Sequence, residues 1–363
     1  MNKELKYWLA FSKLEGVGSA NLFDIYSHFG SMESAWIDSA LDWQEVKQLR
    51  NSTISAFKEK QKEIDLEKIE DDFSQKNIGV VTLEDEDYPE CLRNIDNPPA
   101  ILFFKGDFLN KDFNKTLAVV GSRRCTSGAV ENTKAIIKGL KCADAVIVSG
   151  GAYGIDTAAH SGALEAGLET IVVLGGGIEH LYPNQNIPMF KKILENNGVL
   201  LSEYYPETQP DVYRFPQRNR IISGLSKGTL VVEANIKSGA LITARLCLEQ
   251  GKELMCMPGL LSNPNTQGTH KLLKEGAGLV TTSEDIINYL GWEIAENDQP
   301  QASKNEFSED ENAIIEVVSY EPTNVEKIAE VTKININDLM VMLTMLELKG
   351  IIKQLPGEIY MKV

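Results

Sequence analysis

Short runs of consecutive apolar residues alternate with helical patterns through the middle of the chain. The runs are LAVVG (117–121), AVIVSG (145–150), TIVVLG (170–175), VLLSEY (199–204), TLVVEA (229–234), ELMCMPG (253–259) and GLVTT (278–282). Each is too short for a helix, and the helical stretches between them fit the crossovers that join parallel strands. Because the runs are continuous rather than alternating, the strands are expected to be covered on both faces. The pattern predicts an α/β fold with a mostly parallel, doubly wound, Rossmann-like sheet.

Two further apolar runs, IGVVTL (78–83) and AILFFKG (100–106), come before this region. They are expected to extend the edge of the sheet, which gives an extended core over 66–292. Residues 1–65 read instead as a small domain of short amphipathic helices. The Gly-Val-Gly at 16–18 lies between two of these helices and resembles a helix-hairpin-helix or SAM-like turn. Such a turn either holds a phosphate or serves as a tight connection, and both readings stay open.

The segment 293–309 is polar and nearly free of apolar residues, so it is predicted to be a linker. Three helical patterns follow, at about 310–319, 324–332 and 335–349, and then two short strands around Pro356-Gly357. This order predicts a winged-helix domain over 310–363.

The charge of the chain is unevenly distributed. The formal net charge is −16, and counting charged side chains gives −9 for residues 1–99, +1 for 100–292 and −8 for 293–363. The central region can therefore carry a local basic face, whereas both ends would repel a polyanion. For that reason the winged helix is predicted to contact protein rather than to read DNA.

The cysteine and histidine content argues against metal sites and disulfides. The five cysteines show no Cys-x-x-Cys spacing, and the chain has four histidines. No signal-peptide core and no membrane-spanning run is present. We expect a cytoplasmic protein without a bound metal or a membrane partner.

Four polar or glycine-rich sequences follow predicted strands, where ligands of open parallel sheets collect. They are VVGSRRC (119–125), SGGAYGID (149–156), GGGIEHLYPNQN (175–186) and SEYYPETQPDVYRFPQRNR (202–220). The glycines let backbone N–H groups approach an anion, and the arginines can pair with phosphate. Aromatic residues crowd the last sequence together with arginines, a combination suited to single-stranded nucleic acid.

Common catalytic patterns are missing. No GxGxxG fingerprint follows the first strand of the parallel series, and no Walker A sequence occurs, so neither a nicotinamide cofactor nor ATP hydrolysis is indicated. Six acid/base candidates lie near strand ends but are not paired with a nucleophile by spacing: Asp156, His160, Glu179, His180, Glu203 and Glu233. The sequence therefore predicts a protein that is not an enzyme and needs no cofactor.

Taken together, these motifs resemble the DNA-processing protein A family (DprA, also called Smf). The resemblance covers about 80–292 and includes FPQRNRIISGLS (215–226), VVEANIKSGALITA (231–244) and GTHKLLKEGA (268–277). It implies a homodimeric, non-enzymatic protein with an N-terminal helical domain and a C-terminal winged helix. It also implies a role in natural transformation, in which the protein protects incoming single-stranded DNA and helps to load a RecA-type recombinase.

The resemblance implies specific DNA-binding residues in this chain. They are Gly121, Ser122, Arg123, Ser149, Gly150, Gly154, Phe215, Arg218, Asn219, Arg220, Lys227 and Lys237. Ser122 and Arg123 would hold a phosphate, and Phe215 would stack on a base or form a pocket wall. Arg218 and Arg220 would be phosphate partners or pocket organisers. The chain departs from the family pattern at Tyr153, where relatives often carry a basic residue, and at Ala240, where serine is usual.

Two other readings remain beside this one. The first is a nucleotide-handling enzyme similar to the phosphoribohydrolase (lysine-decarboxylase-like) family, although the PGGxGTxxE signature of that family is missing. The second is an adaptor whose acidic ends bind proteins. Affinity for single-stranded DNA and turnover of nucleoside monophosphates would separate the three.

Overall fold

The computed structural model describes most of the chain. The described residues are 4–14, 16–37, 42–46, 51–294, 307–319, 322–348, 351–355 and 357–362. They form two compact units, Met1–Asn297 and Asp298–Val363, which are treated separately below. No helix among these residues is long and apolar enough to cross a membrane.

The chain begins with short helices, as the sequence predicts. They are α1 Leu5–Ser12, α2 Ser19–Phe29, α3 Met32–Ile37, α4 Asn51–Lys60 and α5 Leu66–Gln75. Phe11 lies among the rings of Trp36, Trp43 and Phe57, with centroid distances of 5.1–5.6 Å. The same hydrophobic cluster continues into one face of the sheet at Phe103. The helices thus share a core with the sheet, and a domain boundary at residue 65 stays a prediction.

Nine strands of the described residues form one sheet. They are β1 Gly79–Thr82, β2 Ile101–Lys105, β3 Thr116–Gly121, β4 Val146–Ser149, β5 Thr170–Val173, β6 Val199–Ser202, β7 Gly228–Val232, β8 Glu253–Cys256 and β9 Gly278–Leu279. Their order is β1-β2-β6-β5-β4-β3-β7-β8-β9. All neighbours from β6 to β9 are parallel, whereas β1 and β2 add an antiparallel edge. The predicted extended, mostly parallel sheet is confirmed.

Helices cover both faces of the sheet. They are α6 Glu90–Arg93, α7 Ser127–Gly139, α8 Ile155–Ala166, α9 Ile187–Glu195, α10 Arg214–Gly224, α11 Ala240–Glu249, α12 Gln267–Lys274 and α13 Ser283–Leu290. Alternate residues of one strand point to opposite layers. Leu117 and Val119 of β3 pack in the cluster of α7, α8 and α13, while Ala118 and Val120 pack in the cluster of α10 and α11. This confirms the doubly wound arrangement.

The sheet has its topological switch point between β3 and β7. The chain leaves β3 toward β4 on one side, and it reaches β7 on the other side by way of α10. Gly121 and Val232 are paired at the carboxyl ends of these two strands. Open α/β sheets bind ligands in the crevice at such a point. The fold therefore brings the loops after β3 and β7 together at one crevice.

The second unit contains α14 Glu309–Val317, β10 Thr323–Asn324, α15 Val325–Thr332, α16 Ile336–Leu348, β11 Ile352–Leu355 and β12 Ile359–Lys362. Its strands form a small antiparallel sheet in the order β10-β12-β11. Ile314, Leu339, Leu343 and Tyr360 belong to a hydrophobic core of its own. The winged-helix prediction is confirmed, with the two-residue β10 as an unpredicted third strand. Most of the predicted linker, at 295–306, lies outside the described residues.

Candidate nucleic-acid interface

An open cleft of about 640 Å³ lies at the switch point. Its walls are the loop after β3, the first turns of α10 and the loop between β7 and α11. Of the predicted site residues it is lined by Gly121, Ser122, Arg123, Phe215, Arg218, Asn219 and Lys237. The structure thus brings together side chains that are up to 116 positions apart in the sequence.

The last position of β3, Gly121, has room only for glycine. A Cβ at Gly121 would lie 1.9 Å from the carbonyl oxygen of Val232. The chain then turns, and the hydroxyl oxygen of Ser122 accepts a hydrogen bond from the backbone N–H of Arg124 at 3.1 Å. Arg123 is exposed, and its guanidinium carbon lies 5.6 Å from the centre of the Phe215 ring. Among the described residues Arg123 has neither a hydrogen-bond nor an ion-pair partner, so its charge is available to a phosphate.

The glycine loop after β4 packs against the backbone of the loop that carries Arg123. Gly154 has φ +78°, and a Cβ there would lie 2.2 Å from the carbonyl oxygen of Ser122. The backbone N–H of Ile155 donates to that same oxygen at 3.2 Å. Ser149, in contrast, is buried and donates to the carbonyl of Val119 at 2.7 Å. Gly154 therefore shapes the cleft, whereas the hydroxyl of Ser149 ties two strands together.

Arg218 reaches the cleft wall but is buried. Its Nη1 donates to the carbonyl oxygen of Gly150 at 2.8 Å and also to that of Val173. Burial lowers the pKa of Arg218 to about 10, and the neighbouring Asp156 carboxylate opposes that effect. Burial likewise raises the pKa of Asp156, and the charge of Arg218 opposes it. Of the two roles implied by the resemblance, this geometry favours pocket organiser over phosphate partner.

Arg220 is also buried, behind the cleft. Two of its nitrogens meet the two carboxylate oxygens of Glu203 at 2.6 and 2.7 Å, and its Nε donates to the carbonyl of Asn97 at 2.8 Å. Ser19, the first residue of α2, donates to the same carboxylate at 2.8 Å. These contacts engage all three guanidinium nitrogens and, through Glu203, join α10 to the N-terminal helices. Arg220 is placed as an organiser, away from solvent.

Phe215 forms part of a wall. A Cβ on Gly175 would lie 2.5 Å from the Phe215 ring, so the ring packs directly on that backbone. The Tyr182 ring lies 5.8 Å away at an angle of 41°. Arg123 also lies over the Phe215 ring, which is half-buried. The ring therefore packs against Gly175, Tyr182 and Arg123 in the wall of the cleft.

The two lysines of the predicted site are placed very differently. Lys237 is exposed on the rim of the cleft, just before α11. That helix begins after Gly239 without a side-chain cap, so its positive end adds to the charge of Lys237. Lys227 precedes β7, at the amino edge of the sheet, where its N–H donates to Thr116. Five residues of strand separate it from the cleft by about 16 Å, so the structure does not bring Lys227 together with the rest.

The six acid/base candidates all have structural partners or are buried. Glu203 pairs with Arg220, and Glu233 accepts hydrogen bonds from the backbone and side chain of Thr126 at 2.9 and 2.7 Å. Glu179 lies 2.9 Å from the Lys76 ammonium. His160 is fully buried, and its Nδ1 lies 2.8 Å from the hydroxyl of Thr170. Burial lowers the pKa of His160 to about 3. Within the described part of the chain no cluster of side chains suited to a metal ion occurs.

The lining residues that sequence reasoning did not assign to the site include Tyr182, Arg124 and Asn265. Tyr182 lies in the sequence that follows β5. Its position after a strand end could have indicated that it lies near the ligand-binding crevice. Asn265 comes from a loop 141 positions beyond Arg124, whose carbonyl it contacts at 2.8 Å. No local pattern indicates a contact of that kind.

Comparisons with known proteins agree on the family. The model of the DNA recombination-mediator protein A family matches residues 79–291, and that of the DprA winged helix domain matches 297–358. Protein Smf of Synechocystis sp. is 32% identical over 99% of both chains. The X-ray structure of DNA processing protein A from Streptococcus pneumoniae has a TM-score of 0.68 and 34% identity, covering 80% of this chain and 99% of that chain. A structure from Helicobacter pylori, described for the single-stranded DNA binding mode of DNA processing protein A, has a TM-score of 0.53 and 32% identity, covering 59% and 97%.

Proposed function

Since this chain belongs to the DNA recombination-mediator protein A (DprA/Smf) family, we propose that it binds single-stranded DNA in the cleft at the switch point. The observation that carries the proposal is that three exposed cations, Arg123, Arg124 and Lys237, line one cleft beside the positive end of α11. Fixed cations and a helix N-terminus suit the phosphates of a nucleic-acid backbone. In the cell this binding would protect incoming single strands and help to load a RecA-type recombinase during natural transformation.

The preference for a single strand follows from charge and chemistry. A net charge of −16 opposes general attraction to a duplex, so binding depends on a few local contacts. Exposed tyrosines lie beside the cleft, and only an unpaired strand offers free base faces to such rings. The Helicobacter pylori relative, whose structure describes a single-stranded DNA binding mode, supports the same substrate class.

The absence of catalysis is also part of the proposal. The carboxylates and histidines near the strand ends are engaged in ion pairs, hydrogen bonds or the buried core, as the geometry of Glu203, Glu233 and His160 illustrates. A general acid or base must reach the proton it transfers, and these groups hold loops and helices instead.

We place a homodimer contact at the free edge of the sheet. Strand β9 ends the parallel series, and Leu279 on it and Tyr289 on α13 are exposed. Exposed apolar side chains grouped at one edge of the sheet suit contact with a second copy. Light scattering of the purified chain would show twice the monomer mass, and replacing Leu279 with lysine would lower it.

The decisive test is fluorescence anisotropy of the purified protein with a labelled oligo-dT, titrated with salt beside a duplex of equal length. Tighter, salt-sensitive binding of the single strand would support the proposal. Equal affinity for both, or no binding at low salt, would contradict it. Release of free base from nucleoside monophosphates would instead favour the phosphoribohydrolase-like reading.

A further inference from the structure

Two exposed tyrosine rings, those of Tyr182 and Tyr153, stand beside the cleft. Tyr182 lines the cleft and is 48% exposed, and Tyr153 is 37% exposed. Both come from loops at the carboxyl ends of neighbouring strands, β5 and β4. Large aromatic side chains at the surface of a site commonly mark contact with a partner that has an apolar face.

The two loops are fastened to each other, so the rings are held in place. The hydroxyl of Tyr153 donates to the side-chain oxygen of Gln185. The buried Asn186 donates to the carbonyl of Gly151 at 2.9 Å and to the hydroxyl of Thr157 at 2.9 Å. A ring whose position is fixed before binding loses little conformational entropy when a ligand stacks on it.

The rings are also close to the cationic group of the cleft. Tyr182 and Arg123 both lie against Phe215, whose ring centre is 5.8 Å from the centre of the Tyr182 ring and 5.6 Å from the guanidinium carbon of Arg123. Gly154, next to Tyr153, packs against the backbone of Arg123. A phosphate at Arg123 would therefore place an attached base within reach of a tyrosine.

We propose that Tyr182 and Tyr153 form a stacking site for unpaired bases whose phosphates are held at Arg123. The inference rests on the proposed function and deepens it, because it makes binding depend on bases as well as on backbone charge. A duplex would be rejected at this site since its base faces are already stacked. The site tolerates any base, because every base has a π-face.

The test compares oligo-dT with an abasic deoxyribose-phosphate strand of the same length and charge. The full-length protein is expected to bind oligo-dT about tenfold more tightly, the size of one base stack. Tyr182→Leu should remove most of that difference, whereas Tyr182→Phe, which keeps the ring, should preserve it. Neither variant should change affinity for the abasic strand. Tyr153→Leu is a second probe and should also lower affinity for oligo-dT without changing affinity for the abasic strand.

The outcomes separate the inference from the function on which it rests. Equal binding of oligo-dT and the abasic strand by the unaltered protein would overturn the stacking site while leaving phosphate binding in place. The inference would also be overturned if both leucine variants bound oligo-dT as tightly as the unaltered protein does. The same holds if they lost affinity equally for oligo-dT and for the abasic strand. If the unaltered protein bound neither strand, the proposed function itself would fail.

Discussion

Arg123 and Arg218 approach the same phenyl ring from very different surroundings. Their guanidinium carbons lie 5.6 and 5.9 Å from the centre of Phe215. Arg123 is exposed and its side chain has no hydrogen-bond or ion-pair partner among the described residues, whereas Arg218 is buried and donates to two backbone carbonyls. An exposed cation can bind a ligand directly. A buried cation that already donates hydrogen bonds could bind a ligand only if those bonds broke, which would destabilise the fold.

We predict that Arg123→Ala weakens binding of oligo-dT about tenfold, since a charge-assisted contact to phosphate is lost. The slope of log affinity against log salt should fall by about 0.7, the value for one phosphate contact on a single strand. Anisotropy at several salt concentrations measures both quantities. Urea unfolding should show little change, and an unaltered salt slope would remove Arg123 from the phosphate path.

Arg218→Ala should act first on stability. It removes the Nη1 donor from the carbonyl oxygens of Gly150 and Val173, and it removes a positive charge that favours the ionised form of the buried Asp156 carboxyl group. A buried acceptor left without its donor costs about 1–3 kcal/mol. The free energy of unfolding measured in urea should fall by that amount. Adding Asp156→Asn removes the stranded charge and should recover part of the loss. A stable Arg218→Ala protein with a reduced salt slope would instead make Arg218 a direct phosphate ligand.

The burial of His160 makes the free energy of unfolding depend on pH. Burial lowers its pKa from 6.5 to about 3, so below pH 6.5 the unfolded chain binds a proton that the folded chain does not. Its contribution is therefore complete above pH 6.5 and is lost as the pH falls, by about 2 kcal/mol between pH 7 and pH 5. The raised pKa of Asp156 works in the opposite direction.

The difference between the unaltered protein and His160→Gln isolates this term, because both proteins contain Asp156. Unfolding free energies measured from pH 7 to pH 5 should converge as the pH falls. Parallel curves would show that His160 is not held neutral in the folded state.

At the scale of elements, sequence patterns located the cleft because they mark strand ends. Gly121 and Gly154 could be assigned to tight turns from their positions after apolar runs alone. The burial of Arg220 could not be foreseen, since its partners Glu203 and Asn97 are 17 and 123 positions away in the sequence. Lys227 was grouped with the site by the resemblance, yet its place before β7 puts it at the other edge of the sheet. Local sequence patterns specify helices, strands and turns. Contacts between residues far apart in the sequence decide which charged side chains remain exposed and unpaired.

The glycine loop after β4 provides a test of that element. Gly154→Ala is expected to displace Ser122 and Arg123, because the added Cβ would lie 2.2 Å from a backbone oxygen and φ is +78°. Stability should fall by at least about 1 kcal/mol, and affinity for oligo-dT should fall at least as far as in Arg123→Ala.

Gly128→Ala is the matched control for this substitution. It places the same methyl group in the first turn of α7, where nothing lies within 4 Å. Its binding should be unchanged and its stability equal or slightly higher, as expected for alanine in a helix. Normal binding by Gly154→Ala would show that the two loops do not need their close contact.

At the scale of the whole molecule, total charge is a poor guide to the ligand. The net charge is −16, but residues 100–292 are nearly neutral, and exposed cations of this region line one cleft. In the winged helix, α16 presents Asp338 together with exposed Val341 and Met345. Recognition helices that read DNA carry basic and amide side chains toward the bases and phosphates. The surface of α16 fits a protein contact better.

Deleting residues 310–363 is therefore expected to leave binding of oligo-dT intact within about twofold, with the same salt slope. Every residue that lines the cleft belongs to the unit Met1–Asn297, and the deleted segment holds nine acidic residues against five basic ones. Anisotropy with both proteins measures the effect, and light scattering confirms that their assembly state is the same. Arg123→Ala should cause equal losses in the full-length and shortened chains. A several-fold loss on deletion, with assembly unchanged, would mean that the winged helix touches the strand despite its charge.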